Sequence, residues 1–341
     1  MASAARELRR RGGSDQSGMF RRVVLHADDF GMNEQVNAGI LRGFTRGLLT
    51  STSVLANAPG CAAALASWKD LEARFANDDL PSLDFRRSLA DSLNQFDLGI
   101  HLNLTQGRPL TQGRYPPQLL DRKGRFPGVF ALAARLVASG QKYRRAIEEE
   151  LCTQTEVLVD SNVSPTHLNA HQYVDILPTV SAIIPDLLRR YAIPVVRTPW
   201  ETHLTQTTLI RRFEPANWCL AQVKRLLAFH HLVRMQRLRV PHPTAYFGTS
   251  HAGRIDLDLM QIFMAAAAPG ITEIGMHPGT GDPAAKTADV DDGWSDPLAA
   301  ARGMELSLLT SPELAQLLES HHVRLARLSD LAGREITRAA A

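Results

Sequence analysis

Two adjacent carboxylates, Asp28 and Asp29, follow the short apolar run VVLHA and precede a Phe30-Gly31 turn. Neighbouring side chains of a strand point to opposite faces, so both carboxylates reach one cavity only where the strand ends. Like charges this close repel each other unless a cation lies beside them. A divalent metal that takes one aspartate as ligand, and leaves the other as a base for the bound water, is one explanation. The alternative is a helix N-cap, which is the more frequent role of an isolated pair.

Histidines at further strand ends favour the metal. His101 interrupts the apolar run in GIHLNLT, and His277 ends TEIGMH. His167, Asn169 and His171 share one face of PTHLNAH if this stretch is a strand. A single buried histidine is usually a hydrogen-bonded core residue, but several beside an aspartate pair match the ligands of a catalytic zinc-type site. Because such a metal activates water and polarises a carbonyl, the pattern favours hydrolysis.

Strands that alternate with helices must bring these residues together. Segments whose apolar residues recur every three or four positions separate the β-rich runs and predict helices over 33–47, 142–160 and 177–192. The alternation predicts an α/β fold with a mostly parallel sheet, and we favour a (β/α) TIM-like barrel whose C-terminal strand ends hold the site. The β-rich runs are 23–27, 96–104, 165–174, 193–198 and 272–277.

The length of 341 residues, 44% of them hydrophobic, suits one barrel domain over residues 21–332. No apolar run is long enough to span a bilayer. Residues 1–20 lack the apolar core of a secretory signal, and we expect a disordered tail there and a second tail over 333–341. The polar stretch 77–95 predicts an insertion, and 200–250 an extended helical and loop region.

Cysteine spacing and charge exclude other classes. Three widely spaced cysteines without a CxxC pair predict neither a disulfide framework nor a cysteine zinc site, which fits a cytoplasmic protein. A formal net charge of +3 is small for this length, and we expect no nucleic-acid partner.

A long helix is predicted over residues 215–240, with basic residues interleaved between aromatic and aliphatic ones. This pattern suits peripheral contact with the anionic inner face of a membrane. The alternative is an outer barrel helix or a homodimer contact whose basic residues face water.

Five motifs occur in the order HADDFGMN, LTSTSVLANAPG, GIHLNLTQGRPL, PTHLNAH and GMHPG. They resemble those of the YdjC-like (ChbG-type) carbohydrate deacetylases from about residue 22 to about residue 330, and the length resembles the hopanoid-biosynthesis-associated branch. The resemblance implies a distorted (β/α) barrel, a single domain with insertions. It also implies one divalent metal and removal of the acetyl group from an N-acetylated amino sugar, free or lipid-linked.

Residue roles follow from the matched motifs. The resemblance implies Asp29, His101 and His171 as metal ligands, Asp28 as general base and His277 as acid for the departing amine. Two imidazoles and one carboxylate favour Zn²⁺, while Mg²⁺, Co²⁺ and Ni²⁺ are compatible. A metal-dependent sugar isomerase or epimerase is the alternative activity, because barrels with such ligands also perform that chemistry.

Substrate contacts are assigned to Arg197, His26, Asn169 and Tyr173. Related proteins often continue the PTHLNAH motif with histidines where Gln172, Tyr173 and Asp175 stand here. They usually carry aspartate at the position of Asn169, and can carry asparagine at that of His26. Arg197 is alternatively an ion-pair partner of Asp28.

His167 has two interpretations. In a helix, its four-residue spacing from His171 would make both histidines metal ligands. A strand is favoured by Pro165 and the β-rich flanks, and it makes His167 a structural neighbour of the site rather than a ligand.

Overall fold

Strands of a single sheet carry most of the predicted site residues. The computed structural model describes residues 21–77, 89, 96–201, 215–267, 269–281 and 292–334. All strand pairings within these ranges are parallel. The strands are β1 (Arg21–Phe30), β2 (Ser51–Val54), β3 (Asp97–Leu102), β4 (His167–Ala170), β5 (Val195–Val196), β6 (Ala245–Phe247), β7 (Ile271–Met276) and β8 (Val323–Leu325).

The order of the strands is β5-β4-β3-β2-β1-β7-β6, and β8 pairs with Arg21–Val23 at the start of β1. The sheet curls as in a barrel, but β5 and β6 lie at its two ends, and no strand pairing in the described residues closes the cylinder. β5 has two residues and β6 three, so both are too short for an extended ladder. The predicted α/β class and distorted barrel are confirmed.

Helices connect the strands, as the periodicity predicts. The predicted helix over 177–192 is divided into two, because Pro185 lacks an N–H and begins a new helix in its first turn. The helices are α1 (Glu34–Arg46), α2 (Cys61–Ala76), α3 (Val129–Ser139), α4 (Arg144–Asp160), α5 (Pro178–Ser181), α6 (Ile184–Arg190), α7 (Pro215–Arg237), α8 (Leu257–Ala266), α9 (Ala299–Leu309) and α10 (Pro312–Ser320). Among the described residues, 3₁₀ helices lie at Gln112–Arg114, Pro117–Leu119 and Leu328–Arg334. The 3₁₀ turns over His171–Ile176 are interrupted by a kink at Gln172 and Tyr173, whose φ angles are 51° and 58°.

The strands are buried along almost their whole length, which is typical of a parallel sheet covered on both faces. Beside β1, Trp68 of α2 packs edge-on against Phe30 and Phe44, with ring centroids 6.5 and 5.5 Å away. Such aromatic pairs add to the free energy gained by burial. They fix the end of β1, where the aspartate pair lies.

Several predicted segments lie outside the described residues: the tail over 1–20, most of the insertion over 77–95, residues 202–214 of the extended region, and 335–341. Among the helices that are described, including the 23-residue α7, none combines the length and hydropathy needed to cross a bilayer.

Candidate active site

The aspartate pair lies at the C-terminal end of β1, where the backbone departs from a regular strand. Asp29 has a φ of 70°, and the register between β1 and β2 shifts between Ala27 and Phe30. This left-handed residue interrupts the alternation of side chains, so both carboxylates face one buried cluster. The helix-cap alternative is wrong for this pair, because the N-cap of α1 is Asn33, whose Oδ1 accepts from the backbone N–H of Val36 at 2.9 Å.

Asp29, His101 and His171 meet although they are far apart in the sequence. Each offers a ligand atom, and these atoms lie within 4.8 Å of one another. Asp29 Oδ1 is 2.9 Å from His171 Nδ1 and 3.5 Å from His101 Nε2. All three side chains are buried. One carboxylate and two imidazoles are a suitable donor set for a divalent cation, so this cluster can hold a metal ion.

Asn169 determines which nitrogen of His101 carries the proton. The carboxylate of Asp28 can only accept, so it accepts from Asn169 Nδ2 at 2.9 Å, and Asn169 Oδ1 is left to accept from His101 Nδ1, also at 2.9 Å. In its neutral form, His101 therefore presents the lone pair of Nε2 toward Asp29. An imidazole held in this way is oriented for metal binding before any ion arrives.

Negative charge dominates the surroundings of His101. Burial by itself lowers the pKa of His101, but the carboxylates of Asp28 and Asp29 outweigh it and raise the pKa above the ordinary value. Burial would raise the pKa of Asp29, but His171 and Arg302 hold it well below the ordinary value. The cluster thus favours positive charge at its centre, as a cation site requires.

Asp28 lies beside the cluster and is not part of it. Its Oδ2 accepts from Arg197 Nη1 at 2.7 Å and lies 3.8 Å from His277 Nε2. Burial would raise the pKa of Asp28, but the charges of Arg197 and His101 hold it well below the ordinary value. Asp28 is therefore ionised at neutral pH.

His277 follows β7 directly and faces Asp28. Its backbone N–H donates to Glu305 Oε2 at 2.6 Å, which fixes the chain at this point. Its Nδ1 is buried and has no hydrogen-bond partner in the described part of the chain. The ring therefore has a buried polar atom whose hydrogen-bonding capacity the described residues leave unused.

Three of the predicted substrate contacts are buried within the protein. His26, Asn169 and Arg197 direct their polar atoms to neighbouring side chains. Arg197 forms an ion pair with Asp28, which is the alternative role predicted for it from the sequence. Tyr173 is half-buried, and its hydroxyl lies 3.2 Å from that of Tyr246. These contacts favour a positioning role for the first three, and their assignment to substrate stays a prediction.

Arg302 is the main site residue that sequence reasoning missed. Its Nη2 donates to Asp29 Oδ2 at 2.7 Å, and its Nε donates to Asp296 Oδ2 at 2.6 Å. Arg302 lies on α9, one of many arginines on helices, and no sequence pattern distinguishes it. Glu273 pairs with Arg197 at 2.6 Å. Its role could have been predicted from the sequence, because a carboxylate inside the apolar strand ITEIGM requires a cation nearby.

Asp175 predicts a pH dependence of stability. It is buried, neither carboxylate oxygen has a hydrogen-bond partner in the described residues, and burial raises its pKa to about 7. Because the folded-state pKa is raised, the stabilisation is complete below the unfolded-state pKa and is lost as the pH rises toward 7.

Asp175→Asn and the wild type should therefore unfold with similar free energies near pH 4. As the pH rises from 4 to 7, the free energy of unfolding of the variant should come to exceed that of the wild type by on the order of 2–4 kcal/mol. Urea unfolding at four or five pH values measures this difference. A difference that does not change with pH would contradict the assignment.

The chain is similar to known proteins over most of its length. The sequence matches the family model for YdjC-like proteins over residues 22–320. It is 29% identical over 325 residues to a carbohydrate deacetylase of Mus musculus, a match covering 91% of this chain and 94% of the relative. It is 35% identical over 184 residues to one of Geobacillus stearothermophilus, covering 53% of this chain and 62% of that relative.

A solved structure has the same fold. A protein from Enterococcus faecalis V583, named for cellobiose-phosphate cleavage, superposes with a TM-score of 0.67 at 19% identity, covering 92% of this chain and 99% of the other. The family match, spanning almost the whole described barrel and all the residues of the site, establishes that this chain belongs to the YdjC-like protein family.

Proposed function

We propose that the protein is a metal-dependent hydrolase that removes the acetyl group from an N-acetylated amino sugar, such as an N-acetylglucosaminyl compound. The observation that carries this proposal is the buried Asp29, His101 and His171 cluster with the ionised Asp28 beside it. The carbohydrate deacetylases among its relatives supply the substrate class.

Asp29, His101 and His171 would hold the metal, and their donor set favours Zn²⁺ over Mg²⁺, Co²⁺ or Ni²⁺. When bound, such an ion supplies a Lewis acid that activates water and polarises the amide carbonyl. Arg302 occupies the second oxygen of Asp29, Oδ2, and leaves Oδ1 facing the two histidines.

Proton transfers fall to Asp28 and His277 in this proposal. Asp28 accepts a proton from the attacking water, and its Oδ2 stays ionised beforehand because Arg197 donates to it. His277 donates a proton to the leaving nitrogen. Its Nε2 lies 3.8 Å from Asp28 Oδ2, so the two groups border the same small space. Positioned acids and bases of this kind typically contribute about 10²–10⁴-fold to the rate.

An acetate-release assay coupled to metal analysis tests the activity. The purified protein should contain about one divalent ion per chain and release acetate and a free amine from soluble or lipid-linked N-acetylglucosaminyl compounds. Turnover of the sugar without acetate would instead support the isomerase or epimerase.

We also propose that α7 brings the protein to an anionic membrane, which suits a lipid-linked substrate such as one from hopanoid biosynthesis. Val223, Leu226 and Phe229 on this helix are 56%, 71% and 49% exposed. Arg237 and Arg239 near its end are exposed as well. A helix with exposed apolar side chains that is followed at its C-terminal end by exposed basic ones suits the lipid headgroup region. A homodimer contact through the same helix is the alternative.

Flotation with liposomes distinguishes these two roles. The protein should bind vesicles that contain anionic lipid, and reversal of Arg237 and Arg239 to glutamate should reduce binding by about tenfold or more, since each basic residue contributes about 1 kcal/mol. Reversal of Arg189 and Arg190 on α6 is the matched control and should have a smaller effect. Equal flotation of all three proteins, or a dimer in sedimentation that disappears with Leu226→Glu, would contradict the membrane role.

A further inference from the structure

We propose that His26 and His167 form a neutral histidine pair that orients Arg197 and, through it, the carboxylate of Asp28. Both are then positioning residues, neither metal ligands nor substrate contacts. Only the expected effects on kcat rest on the proposed deacetylase function, in which Asp28 is the general base.

The two rings touch deep in the sheet. His26 Nε2 and His167 Nε2 are 2.8 Å apart, and both side chains are completely buried. A hydrogen bond between two imidazole nitrogens requires that one carries a proton and the other does not. Gly99 in β3 makes this arrangement possible, because a Cβ at that position would collide with the ring of His167.

Arg197 decides the direction of that bond. A guanidinium has no acceptor, so His26 Nδ1 accepts from Arg197 Nη2 at 2.8 Å. The proton of a neutral His26 is therefore on Nε2 and is donated to His167 Nε2. His167 then carries its proton on Nδ1, which lies 2.9 Å from Thr166 Oγ1. Thr166 completes the array by donating to the carbonyl of Leu98 at 3.2 Å.

Burial and nearby positive charge keep both imidazole rings neutral. Burial, followed by the charge of Arg197, lowers the pKa of His26, although Asp28 and Glu273 act in the opposite direction. Burial, followed by the charges of His26 and Arg197, lowers the pKa of His167 well below the ordinary value. Two imidazolium rings at this separation would also repel each other.

The pair completes the hydrogen bonds that hold Arg197. The two hydrogens of Nη2 are used by His26 Nδ1 and by Glu273 Oε1 at 2.6 Å, and Nε donates to Glu273 at 2.8 Å. Nη1 is thereby directed at Asp28 Oδ2. His26 Nδ1 also lies 3.1 Å from Asp28 Oδ1, so a proton on this nitrogen would compete with Arg197 for the carboxylate. By accepting at Nε2, His167 keeps the proton of His26 away from Asp28.

The ring nitrogens can be examined by long-range ¹H–¹⁵N NMR of the ¹⁵N-histidine-labelled protein, with and without added Zn²⁺. We expect the Nε2–H tautomer for His26 and the Nδ1–H tautomer for His167, assigned from the signals missing in His26→Asn and His167→Gln. The opposite tautomers, or a charged ring at pH 7, would overturn the proposal. This measurement does not depend on activity, so it is unaffected if the proposed reaction is wrong.

Kinetics then separate positioning from folding. His26→Leu should lower kcat by about 10²-fold with KM changed by less than about threefold, because small displacements of a catalytic group have effects of this size. His26→Asn keeps an acceptor near the position of Nδ1 and should recover most of the rate. The kcat of His167→Gln should likewise be higher than that of His167→Leu.

A core variant in α10, Leu314→Ala, is the control for stability. It should lower Tm without a change in kcat at a temperature where it is folded. Equal kcat losses for Leu and Asn at position 26, or losses that follow Tm alone across all five variants, would show that the pair is only structural.

Discussion

Replacement of Asp28 by asparagine is expected to lower kcat by about 10³-fold, because the amide cannot accept a proton from water. Metal affinity should change by less than about tenfold, because Asp28 lies beside the proposed ligands and is not one of them. Replacement of a residue that only neighbours the ligands weakens metal binding less than loss of a ligand does. A large loss of rate with retained metal is the result that identifies a base rather than a ligand.

Asparagine preserves the shape of the side chain but removes its charge from Arg197. Arg197 keeps its ion pair with Glu273, so we expect a folded variant of reduced stability. Asp186→Asn on the exposed side of α6 is the matched control and should have the wild-type kcat. Acetate release and Zn²⁺ titration of both variants provide the measurement. A near-normal rate in Asp28→Asn would remove Asp28 from the mechanism.

Replacement of His101 or His171 by alanine has the second large expected effect. Each change removes one of the protein ligands in the cluster, and we expect the Kd for Zn²⁺ to rise by more than about 100-fold, beyond the effect of losing a neighbouring residue. At metal concentrations below the new Kd, activity should fall to the background of the assay. The same variants should lose the absorption bands of a cobalt-substituted protein.

His167→Ala is the discriminating control for the ligand assignment. His167 is as buried as His101 and lies in β4, but it contacts His26 and is not in the cluster. We therefore expect it to bind Zn²⁺ within about tenfold of the wild type, although its kcat falls. Dialysis against a chelator, followed by addition of each metal in turn, identifies the ion that restores activity. Stoichiometric metal in both His101→Ala and His171→Ala would refute the proposed site.

Local patterns in the sequence were sufficient to predict most of the helices and strands. The strand predicted over 272–277 lies at Ile271–Met276, and the helix predicted over 142–160 lies at Arg144–Asp160. Alternation of strands and helices indicates a parallel sheet, and such a sheet collects the C-terminal ends of its strands at one edge. For this reason the sequence predicts that the aspartate pair and the strand-end histidines meet, and the family resemblance selects Asp29, His101 and His171 among them.

Local patterns could not show how the site residues are held. The positive φ of Asp29, which lets adjacent carboxylates share one cluster, is not encoded in the spacing of apolar residues. The same is true of the positions of β5 and β6 at the two ends of the described sheet, and of the division of the predicted helix over 177–192.

The sequence by itself therefore determined the family, the parallel α/β architecture and the residues with metal-binding chemistry. Only the tertiary structure decided that Arg302 donates to Asp29, and that Arg197 donates both to Asp28 and to His26, whose ring contacts His167. The physical reason is one of range. Hydrophobic periodicity depends on residues a few positions apart, whereas the Arg302 to Asp29 contact joins residues 273 positions apart and depends on how α9 packs against the end of β1.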